Sequence, residues 1–155
     1  NRDHTFGEII NGKLQNTVQS QICMACWFDL PNHYQNCVLD AFVIMPNHVH
    51  GIIRIINNHH MMGVAMVDTG FKPVSTAPGP DPTPIKQHAL SEIVRAFKTF
   101  TARKINIYQK TQGTPLWQTR FYDRIIRNEQ ELNRIRQYIK NNPAKWESDR
   151  NKHKH

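Results

Sequence analysis

Apolar and polar positions change their period several times along the chain, and each change marks an element. Residues 4–14, HTFGEIINGKL, centre on Asn11-Gly12. Both positions tolerate positive φ, so the stretch predicts a two-residue β-hairpin. Between 16 and 30 the spacing becomes helical, with Val18, Ile22, Ala25, Cys26 and Leu30 on one stripe. Leu30-Pro31-Asn32 ends that helix. Residues 37–45, CVLDAFVIM, and 48–56, HVHGIIRII, are rich in β-branched side chains. Only Pro46 and Asn47 separate them, which predicts two strands paired antiparallel.

Periodicity disappears over 57–87, a stretch with five prolines (Pro73, Pro78, Pro80, Pro82 and Pro84) and three glycines. That composition predicts a long flexible insertion. It does not read as a domain boundary, because neither flank is self-sufficient. A helical stripe returns over 89–106 with Leu90, Ile93, Val94, Phe97 and Ile105, while Arg95, Lys98 and Arg103 lie off it. Residues 116–126, LWQTRFYDRII, predict a strand. Residues 129–142 predict a last helix, with Leu132, Ile135 and Ile139 inward and Pro143 as its stop. The order is hairpin, helix, strand, strand, helix, strand, helix. It predicts one α+β domain over 1–146, followed by a charged tail at 147–155. The expected architecture is an antiparallel sheet with helices packed on one face, ferredoxin-like or RNA-recognition-like.

Composition narrows the class. A chain of 155 residues suits one domain with a core of its own. Three cysteines, Cys23, Cys26 and Cys37, are too few and odd in number for a disulfide framework, so a reducing cytoplasm is expected. Cys23 and Cys26 form a single pair without a second one, which favours small buried hydrophobes over a zinc site. No apolar run approaches the roughly 20 residues of a membrane-spanning helix, no leader pattern opens the chain, and no membrane partner is expected.

Charge is placed unevenly. The net +8 comes from the second half: residues 91–155 carry 15 Lys and Arg against 6 Asp and Glu, residues 1–90 only 5 against 6. A basic half faces a polyanion, or is a solvated helix face. Arg95, Lys98, Arg103, Arg120, Arg124 and Arg127 are the candidates for backbone phosphates. Trp117 and Phe121 could stack on bases, but core packing is the more ordinary use of such residues.

Two small constellations carry chemistry. His48 and His50 stand two apart on a strand, so both project from one face while Val49 points to the core. They can converge on one ion and leave most of its coordination open, or they are two solvent-facing histidines. Tyr138 and Asn142 share a helix face one turn apart. A tyrosine beside a bound phosphate can attack it; the plainer use is a boundary tyrosine and a C-capping asparagine. Tyr34, Tyr108 and Tyr122 are rival nucleophiles, Tyr122 the most serious because Asp123 follows it. Asp123 could orient a ligand or pair with Arg120 or Arg124, and the salt bridge is the expected use of that carboxylate. His59-His60 reads as a loop pair, and His153 and His155 as tail residues. No GxxxxGK[ST] sequence is present, so no nucleotide-driven step is expected.

In order and spacing, two stretches resemble the single-tyrosine HUH transposases, including the REP-associated tyrosine transposases. FVIMPNHVHGIIRI (42–55) resembles their His-hydrophobic-His motif, and LWQTRFYDRIIRNEQELNRIRQYIKNNPAKW (116–146) their tyrosine helix, Tyr-Ile-x-x-Asn-Pro, here Tyr138 to Pro143. The resemblance covers most of 4–146 and implies a ferredoxin-like sheet. It also implies that His48, His50 and Asn142 hold Mg²⁺ or Mn²⁺ and that Tyr138 is the nucleophile. The implied partner is single-stranded, hairpin-forming DNA, cut and rejoined through a 5′-phosphotyrosine in DNA transposition, with a homodimer as a family possibility. A domesticated nuclease would share all of this chemistry. From a different class, a non-catalytic single-stranded nucleic-acid binder would use the same fold and the same basic half, although no aromatic-rich KGFGFVxF-type strand is present.

Overall fold

The structure, a computed structural model, describes residues 4–56 and 86–148. Most of the expected insertion, with His59-His60, lies outside the described residues, and so does the tail from 149 onward, with His153 and His155. The elements are β1 (Gly7–Ile10), β2 (Lys13–Asn16), α1 (Val18–Phe28), α2 (Leu30–His33), β3 (Cys37–Ile44), β4 (Val49–Ile55), α3 (Leu90–Gln109) and α4 (Glu129–Asn141). A 3₁₀ turn, Pro143–Ser148, follows α4. The fold is α+β, with two antiparallel pairs, β1–β2 and β3–β4, among the described residues.

Local chemistry accounts for most of these elements. Asn11 (φ 52°) and Gly12 (φ 71°) both take positive φ, the backbone of a tight hairpin turn. α1 starts at a capping box in which the Ser20 N–H donates to Thr17 Oγ1 (3.2 Å) and the Thr17 N–H to Ser20 Oγ (2.9 Å). Pro31 does not simply end a helix: it sits in the first turn of α2, where its missing N–H costs nothing. Asn128 caps α4 by accepting from the Glu131 N–H at 2.8 Å.

The core lies between α1, α3 and one face of β3–β4. Trp27 of α1 stacks on Phe42 of β3 (centroids 4.3 Å, planes 11° apart) and meets Phe97 of α3 edge-on at 5.7 Å. Cys23, Cys26 and Cys37 are buried in this cluster as small hydrophobes, and burial pushes the Cys23 thiol well above its ordinary range. Gly51 faces the Trp27 indole so closely that a Cβ would overlap three ring atoms. We expect Gly51→Ala to lower stability by about 3 kcal/mol, measured by urea denaturation. A loss below about 0.5 kcal/mol would mean that the ring moves aside freely.

Strand alternation puts His48, His50 and Ile52 on the face opposite Val49, Gly51 and Ile53. Val49 and Ile53 pack on the core cluster, as expected for Val49. α4 lies over β3 and brings Tyr138 to His50, so it occupies the histidine side. The expected one-faced packing therefore holds for α1 and α3 only. Helices cover both sides of the pair, because α4 has its own apolar stripe to bury, with Ile139 only 4% exposed.

The strand expected over 116–126 is absent: no regular element lies between α3 and α4. Leu116 and Trp117 pack on the core, and Trp117 meets Phe6 at 5.3 Å and Phe97 at 5.7 Å. From Gln118 to Ile125 the segment is exposed. Lys98 donates to the carbonyls of Gln118 and Thr119, holding backbone that a neighbouring strand would otherwise satisfy. At the base of the insertion, Asn36 holds both ends. Its carbonyl accepts from the Ile56 N–H (2.9 Å) and its amide donates to the His88 carbonyl (2.9 Å).

Candidate active site

The site begins at the loop between β3 and β4. The Met45 N–H donates to the His48 carbonyl at 2.8 Å, closing a two-residue loop of Pro46 and Asn47. Pro46 is fully buried and its carbonyl accepts from the Phe6 N–H at 3.0 Å, which docks the first hairpin on this loop. His48 thus leaves a held turn, and His50 follows on β4 opposite Val43. Both imidazoles are partly exposed, and their Nε2 atoms lie 3.1 Å apart. Two nitrogens bound about 2.1 Å from one ion and set about 95° apart would stand about 3.1 Å from each other. The pair already has the spacing of two neighbouring ligands.

α4 and the 3₁₀ turn after it each bring an aromatic ring to this pair. The Tyr138 ring meets the His50 ring at 5.6 Å and 76°, and the Trp146 ring lies 6.2 Å from His48. Trp146 also meets His4 edge-on at 5.9 Å. Tyr138 is 55% exposed, so its phenol is open to a ligand arriving from solvent. Asn142 sits between these two aromatics in the chain, with helical dihedrals (φ −59°, ψ −45°). It is the C-cap residue, is 4% exposed, and its Nδ2 has no hydrogen-bond partner among the described residues. A buried amide with an unpaired end lacks something; turned over, it presents Oδ1, the atom a hard cation takes. Among the described residues no three of His, Cys, Asp and Glu gather.

Two features that the sequence did not flag hold the arrangement. Asn47 Oδ1 lies 2.7 Å from His48 Nδ1. Arg136 forms a two-pronged contact with Asp40 of β3, Nε to Oδ1 at 2.8 Å and Nη2 to Oδ2 at 2.6 Å, two residues before Tyr138. This ties α4 to the sheet beside Tyr138. The Arg136 guanidinium holds the Asp40 carboxyl below its usual range. A carboxyl lowered on folding contributes at neutral pH and loses that contribution as pH falls through its lowered pKa. We expect Arg136→Met to speed hydrogen exchange in α4 at neutral pH, and wild type to show the same loosening only below about pH 4. Equal exchange in both proteins at neutral pH would show that the pair anchors nothing.

The other candidates separate into groups. Arg95, Lys98 and Arg103 lie on α3, across the sheet from the histidines. Lys98 is half-buried and engaged with the 118–119 carbonyls. Arg120 and Arg127 are exposed on the segment entering α4, and Arg124 on that segment pairs with Glu131. Among the described residues Asp123 forms no salt bridge with Arg120 or Arg124; Arg124 pairs with Glu131, held by the α4 cap, instead. Trp117 is a core residue as expected, whereas Phe121 is 43% exposed and is not. Tyr122 is 90% exposed on the irregular segment, and Tyr108 lies on α3, while Tyr34 packs edge-on against His88 at 4.8 Å. Of the four tyrosines, Tyr138 is the one with a ring contact to the histidine pair.

An uncharacterized protein of Haemophilus influenzae is 34% identical to the chain over 152 residues, which are 96% of the chain and 78% of that protein. The chain belongs to the family of that protein. No family model matches the chain, and no solved structure does. No helix among the described residues is long and apolar enough to cross a membrane.

Proposed function

We propose that the chain cleaves and rejoins single-stranded DNA, with Tyr138 as nucleophile beside a divalent ion held by His48 and His50. The observation that carries this is the convergence of His48 Nε2 and His50 Nε2 at 3.1 Å, with the Tyr138 ring edge-on to His50. The residue types fit Mg²⁺ or Mn²⁺: two imidazole nitrogens at ligand spacing and the Asn142 amide as the third ligand would leave the remaining positions to water and a phosphate oxygen. Such an ion supplies positive charge that polarises a backbone phosphate.

Tyr138 then does the chemistry. Its phenol oxygen forms a bond to phosphorus as the bond to the 3′-oxygen breaks. The phenol proton passes to solvent and the released 3′-oxygen leaves as a hydroxyl. The fragment downstream of the break stays on Tyr138 through its 5′-phosphate, as a phosphodiester. A second 3′-hydroxyl can attack that phosphorus, restoring the tyrosine and sealing a new junction. Each step exchanges one ester for another, so no nucleoside triphosphate is consumed. Tyr138 and the histidines meet within one chain, which suits cleavage by a single protomer. Arg120 and Arg127 would hold the flanking strand, with Phe121 and Tyr122 as exposed stacking surfaces. Under this reading β3–β4 with α1 and α3 on one face is part of a ferredoxin-like sheet, and mobilisation of DNA is the biological outcome.

The exposed aromatic and basic run at 120–127 also suits a nucleic-acid binder without catalysis. The test is to incubate the protein with single-stranded DNA from either side of its gene in Mn²⁺ or Mg²⁺, then run a denaturing gel. A chelator-sensitive protein–DNA adduct is the expected result. Binding without an adduct in either metal would favour the non-catalytic reading.

A further inference from the structure

We propose that Asn47 is a positioning residue that fixes the tautomer of His48 and so frees His48 Nε2 to act as a ligand. The idea rests on the proposed metal site and adds the residue that prepares it. A neutral imidazole carries one hydrogen, on Nδ1 or on Nε2. Only the ring nitrogen without hydrogen can bind an ion. Asn47 Oδ1 stands 2.7 Å from His48 Nδ1, and an amide oxygen only accepts. The hydrogen of His48 is therefore on Nδ1, and its Nε2 lone pair faces His50.

The loop holds the asparagine to this task. Pro46 is buried and its carbonyl accepts from the Phe6 N–H, and the Met45–His48 bond closes the turn on the other side. With His48 Nε2 bare, the 3.1 Å contact makes His50 Nε2 the donor while no ion is bound. Partners of this kind on the non-ligating nitrogen orient a histidine and raise its basicity.

The test uses the full chain with ¹⁵N-labelled histidine and reads two quantities. Nitrogen shifts of the ion-free protein report the His48 tautomer, and titration with Mn²⁺ reports affinity. Wild type should show the Nδ1–H form. Asn47→Ala should lose it and bind Mn²⁺ about tenfold or more weaker. Asn47→Asp, whose carboxylate also only accepts, should keep both the tautomer and the affinity. Backbone spectra of both variants confirm the fold. A wild-type His48 in the Nε2–H form, or an Asn47→Ala protein with unchanged tautomer and affinity, would overturn the proposal. If wild type shows the Nδ1–H form and Asn47→Ala loses it, yet neither binds Mn²⁺, then the role of Asn47 stands and the metal reading falls.

Discussion

Tyr138→Phe should abolish the covalent adduct with single-stranded DNA, a loss of at least about 10³-fold, while DNA binding stays within about twofold. The reasoning is chemical. Phenylalanine keeps the ring and its contact with His50 but removes the only atom that can bond to phosphorus. The ring is half-exposed, so the core is unaffected. Gel adduct yield measures the first effect and fluorescence anisotropy with labelled DNA measures the second. An adduct of normal yield in Tyr138→Phe would move the nucleophile elsewhere. Tyr122, which is 90% exposed, would then be the first to test. Both activities falling together would instead indicate a ring needed for structure.

Replacing His48 and His50 together by alanine should remove Mn²⁺ binding and lower adduct yield by about 10²-fold or more. Both rings are partly exposed and stand on the face away from the Trp27 cluster. Their loss should leave the melting transition within a few degrees of wild type. The double variant matters because either ring alone could still hold an ion weakly with water. Mn²⁺ titration and the adduct gel give the two readouts. A double variant that still binds Mn²⁺ with wild-type affinity would place the ion elsewhere and remove the basis for the mechanism. Unchanged adduct yield in the absence of binding would make the tyrosine chemistry metal-independent.

Much of this was legible in the sequence where local chemistry decides the structure. Asn11-Gly12 forms the expected turn because few residues accept two positive φ values in succession. The His-x-His pair faces one way because strand alternation admits no other arrangement. α4 begins and ends where Asn128 and Pro143 require. What the sequence could not show depends on partners distant along the chain. Residues 116–126 have strand-like composition, yet a strand exists only where another edge meets it; here Lys98 takes two of the carbonyls. The Asp40–Arg136 tie joins positions 96 apart, which no spacing rule connects. Asn47 precedes the motif directly, but its use follows from the closed 45–48 loop, and sequence alone cannot orient that side chain. The basic residues of α3 were grouped with those before α4 by charge, whereas the sheet separates them.

Peptide mapping of the adduct by mass spectrometry tests the central claim most directly. The protein is incubated with single-stranded DNA and Mn²⁺, the DNA is trimmed with nuclease, and the modified peptide is sequenced. The account requires a nucleotide joined through its 5′-phosphate to Tyr138, in the α4 peptide and absent after chelation. A nucleotide on any other residue, or unmodified α4 in a sample that has cleaved its DNA, would contradict it.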